Sequence, residues 1–538
     1  MNRTTLSLIA VATALAAVTG FAALNTPDGS APGTARTAAR LPVERTTLLC
    51  PAPSTSDLAE TSYTSFTPVT KGTDGDGEAR LQSARDDEAT GAPGSGTGDT
   101  AEDGEAGEQD DATADDKAGD EAGDKRDGKD DGEAGGGEEK ADQPALQPKE
   151  PGTPVTGDSS GADAPALIGT AEGKFAPGWT VQETTEVAAG TGRGLQGVNC
   201  TAPDTEFWFP GAGTAAARSD YVHLTNPDDS AAVVDIELYG KDGPVKSAVG
   251  EGITVAPRST EPVLLSTLAD APQDDVTVHV SVRSGRVGAA VQALDEKLGG
   301  DWLTASADPA DSLVLPGIPK DATSVRLVAF TPSDADADLK VRLASPSGLI
   351  TPAGHETVHV RGGMTTAVDL GEVTRGEAGS LVLTPTGQPV PVVAALRVVR
   401  GKGADQETAF IPATGPVGTR ATVAGNSAKG ATLSLTASTG TARVKVTASA
   451  GSGGGTPVSK TYTVKQGTTQ DVVPPVPSGL KGTYALTVEH LSGGPVHAAR
   501  TLSVTEDGVA AFTVQTLPDD RGTVAVPQAD EDLSVLQK

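Results

Sequence analysis

One short unit recurs through this chain at a domain-sized interval. It is a glycine turn leading into Val-x-Ala-Ala. The copies are Ser284-Gly285-Arg286-Val287-Gly288-Ala289-Ala290, Thr386-Gly387-Gln388-Pro389 running on to Val392-Val393-Ala394-Ala395, and Ser492-Gly493-Gly494-Pro495-Val496-His497-Ala498-Ala499. The Ala-Ala pairs start at 289, 394 and 498, which are 105 and 104 residues apart. A second marker runs in phase: Trp208-Phe209-Pro210-Gly211, Val314-Leu315-Pro316-Gly317 and, more loosely, Thr422-Val423-Ala424-Gly425. Its glycines are 106 and 108 residues apart. Solenoid repeats are usually about 20–45 residues long. A period above 100 therefore points to a tandem array of one small domain.

Each copy is a series of strand-like runs separated by turn residues. Tyr221-Val222-His223-Leu224-Thr225 ends at Asn226-Pro227-Asp228-Asp229, a strong turn signal. Thr277-Val278-His279-Val280-Ser281-Val282-Arg283 and Arg443-Val444-Lys445-Val446-Thr447 alternate with period two. Such alternation buries one face and wets the other, as antiparallel sheets do. The expected fold is all-β: tandem immunoglobulin-like or fibronectin-like sandwiches, with an N-terminal hydrophobic helix and a long disordered acidic insert. The modules are expected at 207–311, 312–413 and 414–528, with a tail at 529–538. A partial, split module is expected at 41–70 plus 166–206. The Ala-Ala pairs are expected to let a neighbouring element approach closely, a packing role rather than a chemical one.

Residues 71–165 interrupt that first module. They hold 28 Asp and Glu against 9 Lys and Arg, and no aromatic residue lies between Phe66 and Phe175. Such a stretch buries too little apolar area to offset its ordering entropy, so disorder is expected. The chain as a whole carries a net charge of −31, which opposes nucleic-acid binding and electrostatic docking on anionic lipid. Residues 6–24 are uncharged behind Arg3, so residues 1–26 read as a signal peptide or a membrane anchor. Membrane contact is expected only through that segment. The two cysteines, Cys50 and Cys200, flank the insert. In an exported chain they are expected to form one bridge; two unpaired buried thiols are the alternative.

Four motifs invite a chemical reading. His355-Glu356-Thr357-Val358-His359 matches H-E-x-x-H, but zinc ligation needs it on a helix. On the strand expected here, positions i and i+4 lie about 13 Å apart. Gly192-Arg193-Gly194-Leu195-Gln196-Gly197 matches G-x-G-x-x-G without a surrounding βαβ unit and reads as a flexible loop. Gly157-Asp158-Ser159-Ser160-Gly161 matches G-x-S-x-G at the edge of the insert, not at a strand-to-helix elbow. Asp295, Glu296, Asp301, Asp308 and Asp311 surround Trp302. They read as an acidic inter-module loop, with a glycosidase-like arrangement as the alternative. No catalytic, cofactor-binding or metal-ligating residue is expected.

The chain resembles a family of actinobacterial exported proteins of unknown function. The resemblance rests on Leu48-Leu49-Cys50-Pro51, on Cys200-Thr201-Ala202-Pro203 with Glu206-Phe207-Trp208-Phe209-Pro210-Gly211, and on the 221–227 strand and turn. It implies an N-terminal signal or membrane segment and an extracytoplasmic β-rich body. The functional expectation is a non-enzymatic envelope protein that scaffolds or binds envelope proteins or cell-wall glycopolymers. The alternatives are an accessory hydrolase of wall polymers, using Asp301 or Asp308, and a carbohydrate-binding adhesin.

Overall fold

Alternating runs such as Val276–Ser284 place valines on one face and polar residues on the other, so each strand must be covered on its apolar side. Pairs of sheets satisfy that need. In a computed structural model, which describes residues 39–86 and 145–526 apart from 74, 248, 507 and 508, the chain is all-β. The expected N-terminal segment 1–26, the tail 529–538 and the centre of the acidic insert lie outside the described residues.

Four modules, not three and a fragment, are built on one plan. In the third, Leu313–Ile318, Gly379–Pro385 and Ala337–Ser345 form the body of one sheet, and Thr365–Gly371, Ser324–Phe330, Val393–Arg400 and Glu407–Pro412 form the other. The second module, 206–303, and the fourth, 420–516, repeat this order. The first module is complete as well. Arg45–Cys50, Leu167–Glu172 and Ala79–Ser83 make one sheet; Val155–Ser160, Ala59–Phe66, Thr180–Val187 and Gly194–Asn199 make the other. Two of these strands, Ala79–Ser83 and Val155–Ser160, fall inside the stretch expected to be disordered insert. Each is short and polar, but each is anchored by pairing to a partner from the module's apolar core. Thr523–Val526, inside the span expected for the last sandwich, instead pairs with Ala39–Pro42 as a separate two-stranded sheet.

The last strand of each module meets the last strand of the next. Gly194–Asn199 adjoins Gly299–Leu303, which adjoins Glu407–Pro412, which adjoins Val509–Thr516, which returns to Gly194–Asn199. Within residues 42–522, which form one compact unit, the modules therefore close in a ring around these four axial strands. A second cycle runs outside the first. Arg45–Cys50 leans on Gly288–Asp295, Glu206–Ala212 on Val393–Arg400, Leu313–Ile318 on Val496–Glu506, and Arg420–Asn426 on Thr180–Val187.

The two repeated markers are the two halves of these outer joints. Gly211, Gly317 and Gly425 have positive φ and sit where the pairing register of their strands shifts. Only glycine takes that conformation without cost. Each bulge presents its glycine to the next module: Gly211 to Val328, Gly317 to Ala499, and Gly425 to Thr64. A Cβ on Gly317 would lie 2.8 Å from the Ala499 Cβ. At that joint the small Ala499 side chain admits the bulge of the preceding module. Cores merge across the joints. Ala395 and Phe410 of module three are buried in the core of module two, and Ala499, Phe512 and Val514 of module four in that of module three. Burying a phenylalanine contributes roughly 1.5–3 kcal/mol, so the joints are apolar interfaces rather than hinges.

Candidate functional site

The axial strands carry polar side chains that a sheet edge would normally leave in water. Asp301 lies on Gly299–Leu303 and is fully buried. Its carboxyl accepts a hydrogen bond from the Gly197 amide at 3.0 Å in module one, and from the Thr513 hydroxyl at 3.0 and 3.1 Å in module four. The backbones of Phe410 in module three and of Trp302 beside it also favour its charged form. One carboxyl thereby joins all four modules. Burial pushes its pKa well above the usual carboxylate range, against the opposing pull of these donors.

The G-x-G-x-x-G motif forms the adjacent part of the axis, not a flexible loop. Gly194–Asn199 is an ordered strand paired to Thr180–Val187. Its glycines are needed for close approach. A Cβ on Gly197 would stand 2.6 Å from Thr513 Cγ2. Gly197→Ala is expected to cost about 1–3 kcal/mol through overpacking. Gly387→Ala, where nothing lies within 4 Å, is expected to change stability by less than about 0.5 kcal/mol. Parallel urea unfolding of the two variants checks both values.

Arg193 fills the space between modules one, two and three. Its Nη2 donates to the carbonyls of Lys297 (3.0 Å), Ala404 (3.0 Å) and Gln406 (2.9 Å). It also stands 4.0 Å from Glu407, whose side chain is 2% exposed. Burial raises the Glu407 pKa to about 7, with Arg193 drawing it back down. A carboxyl that keeps its proton when folded but loses it on unfolding favours the folded state at low pH. Its contribution, on the order of 2 kcal/mol, is present below about pH 4.5 and is lost as pH rises through about 7. Glu407→Gln is expected to remove about one proton's worth of slope from stability between pH 5 and 7, read from unfolding midpoints across that range. Asp301 and Glu183 act in the same sense, because burial raises both.

Module one holds the polar groups hardest to foresee. Glu183 is fully buried beside its cross-strand partner Tyr63. Neither carboxylate oxygen of Glu183, nor the Tyr63 hydroxyl, has a protein hydrogen-bond partner. Burial raises both pKa values. Arg500 holds the corresponding ladder position in module four, where modules two and three have Val291 and Leu396. It is fully buried, donating to the Ala424 carbonyl, to Asn426 Oδ1 at 3.2 Å and to Gln515. Among the described residues no carboxylate pairs with it, and burial lowers its pKa to about 9. The first-to-fourth joint uses two amides as well. Gln182 Oε1 accepts from the Ala424 amide at 2.6 Å, and Asn199 Nδ2 donates to the Thr516 carbonyl at 3.0 Å.

The tempting motifs separate. His355 and Glu356 lie in a turn, and His359 on the strand Thr357–Val360, where its ring meets Asp338 at 2.8 Å and Asp336 at 3.3 Å. Among the described residues no group of three or more His, Cys, Asp or Glu is disposed to hold a metal ion. Ser159 lies within the strand Val155–Ser160. The carboxylates around Trp302 do not converge. Asp301 is at the axis, Asp295 caps the Lys297 and Leu298 amides, and Glu296, Asp308 and Asp311 are exposed. Cys50 and Cys200 are joined, tying the end of Arg45–Cys50 to the residue that follows the first axial strand, 150 positions later.

Residues 155–475 match a family of unknown function, DUF5719. No curated protein and no solved structure matches the chain.

Proposed function

The chain belongs to the DUF5719 family of unknown function, and from its architecture we propose that it is a non-enzymatic, exported envelope protein that scaffolds or binds. Envelope proteins or cell-wall glycopolymers would dock on its outer sheets and loops. The observation that carries this reading is the use made of Asp301, the carboxylate best placed for chemistry: its oxygens face four modules and no solvent. Glu407 is likewise turned inward, and Arg193, partly exposed, spends its guanidinium on backbone carbonyls of modules two and three. The Cys50–Cys200 bridge favours an oxidising compartment. The strongly acidic net charge disfavours nucleic acid as a partner.

The test is fractionation followed by crosslinking in intact envelopes. The full chain is expected in the envelope fraction, crosslinked to an envelope protein or a wall glycopolymer, and without turnover of purified wall polymer. Recovery with the cytoplasm, or hydrolysis of the polymer by the purified chain, would overturn the proposal.

A further inference from the structure

Module three carries a cleft of about 410 Å³ that the ring does not use. Leu343 and Leu370, both core residues, form its floor. Ile350 stands in its wall, 45% exposed. Glu372, Arg375 and Glu377 stand at its rim. The volume is within the usual range for small-ligand sites.

Two features separate this cleft from an accidental gap between loops. Arg375 has φ 48°, in the left-handed region that non-glycine residues enter at a cost. The turn holds it there through the Arg375 amide to the Glu372 carbonyl, 3.2 Å, and the Glu377 amide to the Thr374 carbonyl, 3.0 Å. Among the described residues, the side chains of Glu372, Arg375 and Glu377 form no ion pair or hydrogen bond with the protein. A guanidinium and two carboxylates, all three exposed, thus border one apolar floor without a protein partner among the described residues. Modules two and four are built differently at this place. The corresponding segment of module two is a short 3-10 turn, Leu265–Leu268, with both leucines buried. In module four it is Val473-Pro474-Pro475-Val476-Pro477.

The chemistry selects a ligand class. A guanidinium pairs with a carboxylate through two parallel hydrogen bonds. Glutamates accept an ammonium group, and the leucine floor accepts an aliphatic stem. No phenylalanine, tyrosine or tryptophan lines the cleft, and the one ring it offers a sugar or nucleobase is the His355 imidazole. We infer that this cleft binds a short peptide bearing an aliphatic side chain with a free amine together with a carboxylate. The inference goes beyond the scaffold proposal and stands without it.

The test uses the full chain carrying isotope-labelled isoleucine methyl groups. The probe is the tripeptide Ala-Lys-Ala, with a trisaccharide of N-acetylglucosamine as the parallel arm. The Ile350 methyl signal is expected to move saturably with the peptide at up to about 10 mM. Ile236, in the core of module two, is expected to stay still. Arg375→Gln, and Glu372→Gln combined with Glu377→Gln, are each expected to weaken binding at least about fivefold. The unmoved Ile236 signal reports that each variant is folded. Absence of any Ile350 shift, an equal shift from the trisaccharide, or undiminished binding in both charge variants would overturn the inference.

Discussion

Replacing Asp301 with alanine is expected to cost about 3–5 kcal/mol of stability, the largest loss from any single axial side chain. The substitution leaves the Gly197 amide and the Thr513 hydroxyl without their acceptor. These donors are buried between modules, where water does not replace the lost oxygen. Asp301→Asn should fall between wild type and alanine, since it keeps one acceptor but turns an NH2 toward donors. Thr513→Val combined with Asp301→Ala should show a coupling of about 1–2 kcal/mol in a double-mutant cycle, because the two side chains share one hydrogen bond. Guanidinium unfolding midpoints of these three variants and of Thr513→Val alone supply the measurements. A loss below about 1 kcal/mol for the alanine variant would mean that the axis contributes little to the ring.

Removing the disulfide should have an effect of similar size. Cys50→Ser with Cys200→Ser opens a loop of 150 residues, for which chain-entropy arguments give about 5 kcal/mol and measured cases run at about 2–5 kcal/mol. The consequence should spread beyond module one. Cys200 directly follows the axial strand Gly194–Asn199, so loosening it also loosens the Gly197 amide that meets Asp301. The bridge is shielded, with Cys50 fully buried and Cys200 7% exposed. Reductant alone should therefore act slowly on the folded chain and rapidly once denaturant is added. Thiol labelling in each condition checks this. Rapid labelling of the native protein would contradict the packing described.

Much of the fold is legible in the sequence, and the reasons are local. Period-two alternation and turn residues are properties of neighbouring positions, so strands and turns can be read directly. The Val-x-Ala-Ala and Pro-Gly markers announce the repeat and even its packing role. What they do not announce is that one marker seats on the other across a module joint, because that contact joins residues such as Gly317 and Ala499, far apart in the chain. Ring closure is invisible for the same reason. The first module looks fragmentary because its strands are interrupted by the insert and its outer joint uses Gln182 where the other modules use alanine. Asp301 resembles an acidic loop residue when read alone. The available signal was its place in Gly299-Gly300-Asp301-Trp302-Leu303, a charged residue inside an otherwise apolar strand. The three glycines of 192–197 carried a second signal, a demand for close approach, which a nucleotide-binding pattern and a flexible loop both misread. Glu183 and Arg500 left no trace at all, since nothing in their neighbours distinguishes a buried ionisable group from a solvated one.

The central claim is that four sandwiches form one cooperative ring held at Asp301. Hydrogen exchange of the Asp301→Ala chain tests it most directly, followed at the amides of Gly194–Asn199, Gly299–Leu303, Glu407–Pro412 and Val509–Thr516. The ring predicts that all four strands lose protection together. Loss confined to Gly299–Leu303, with the other three unchanged, would show four independent modules and contradict the account.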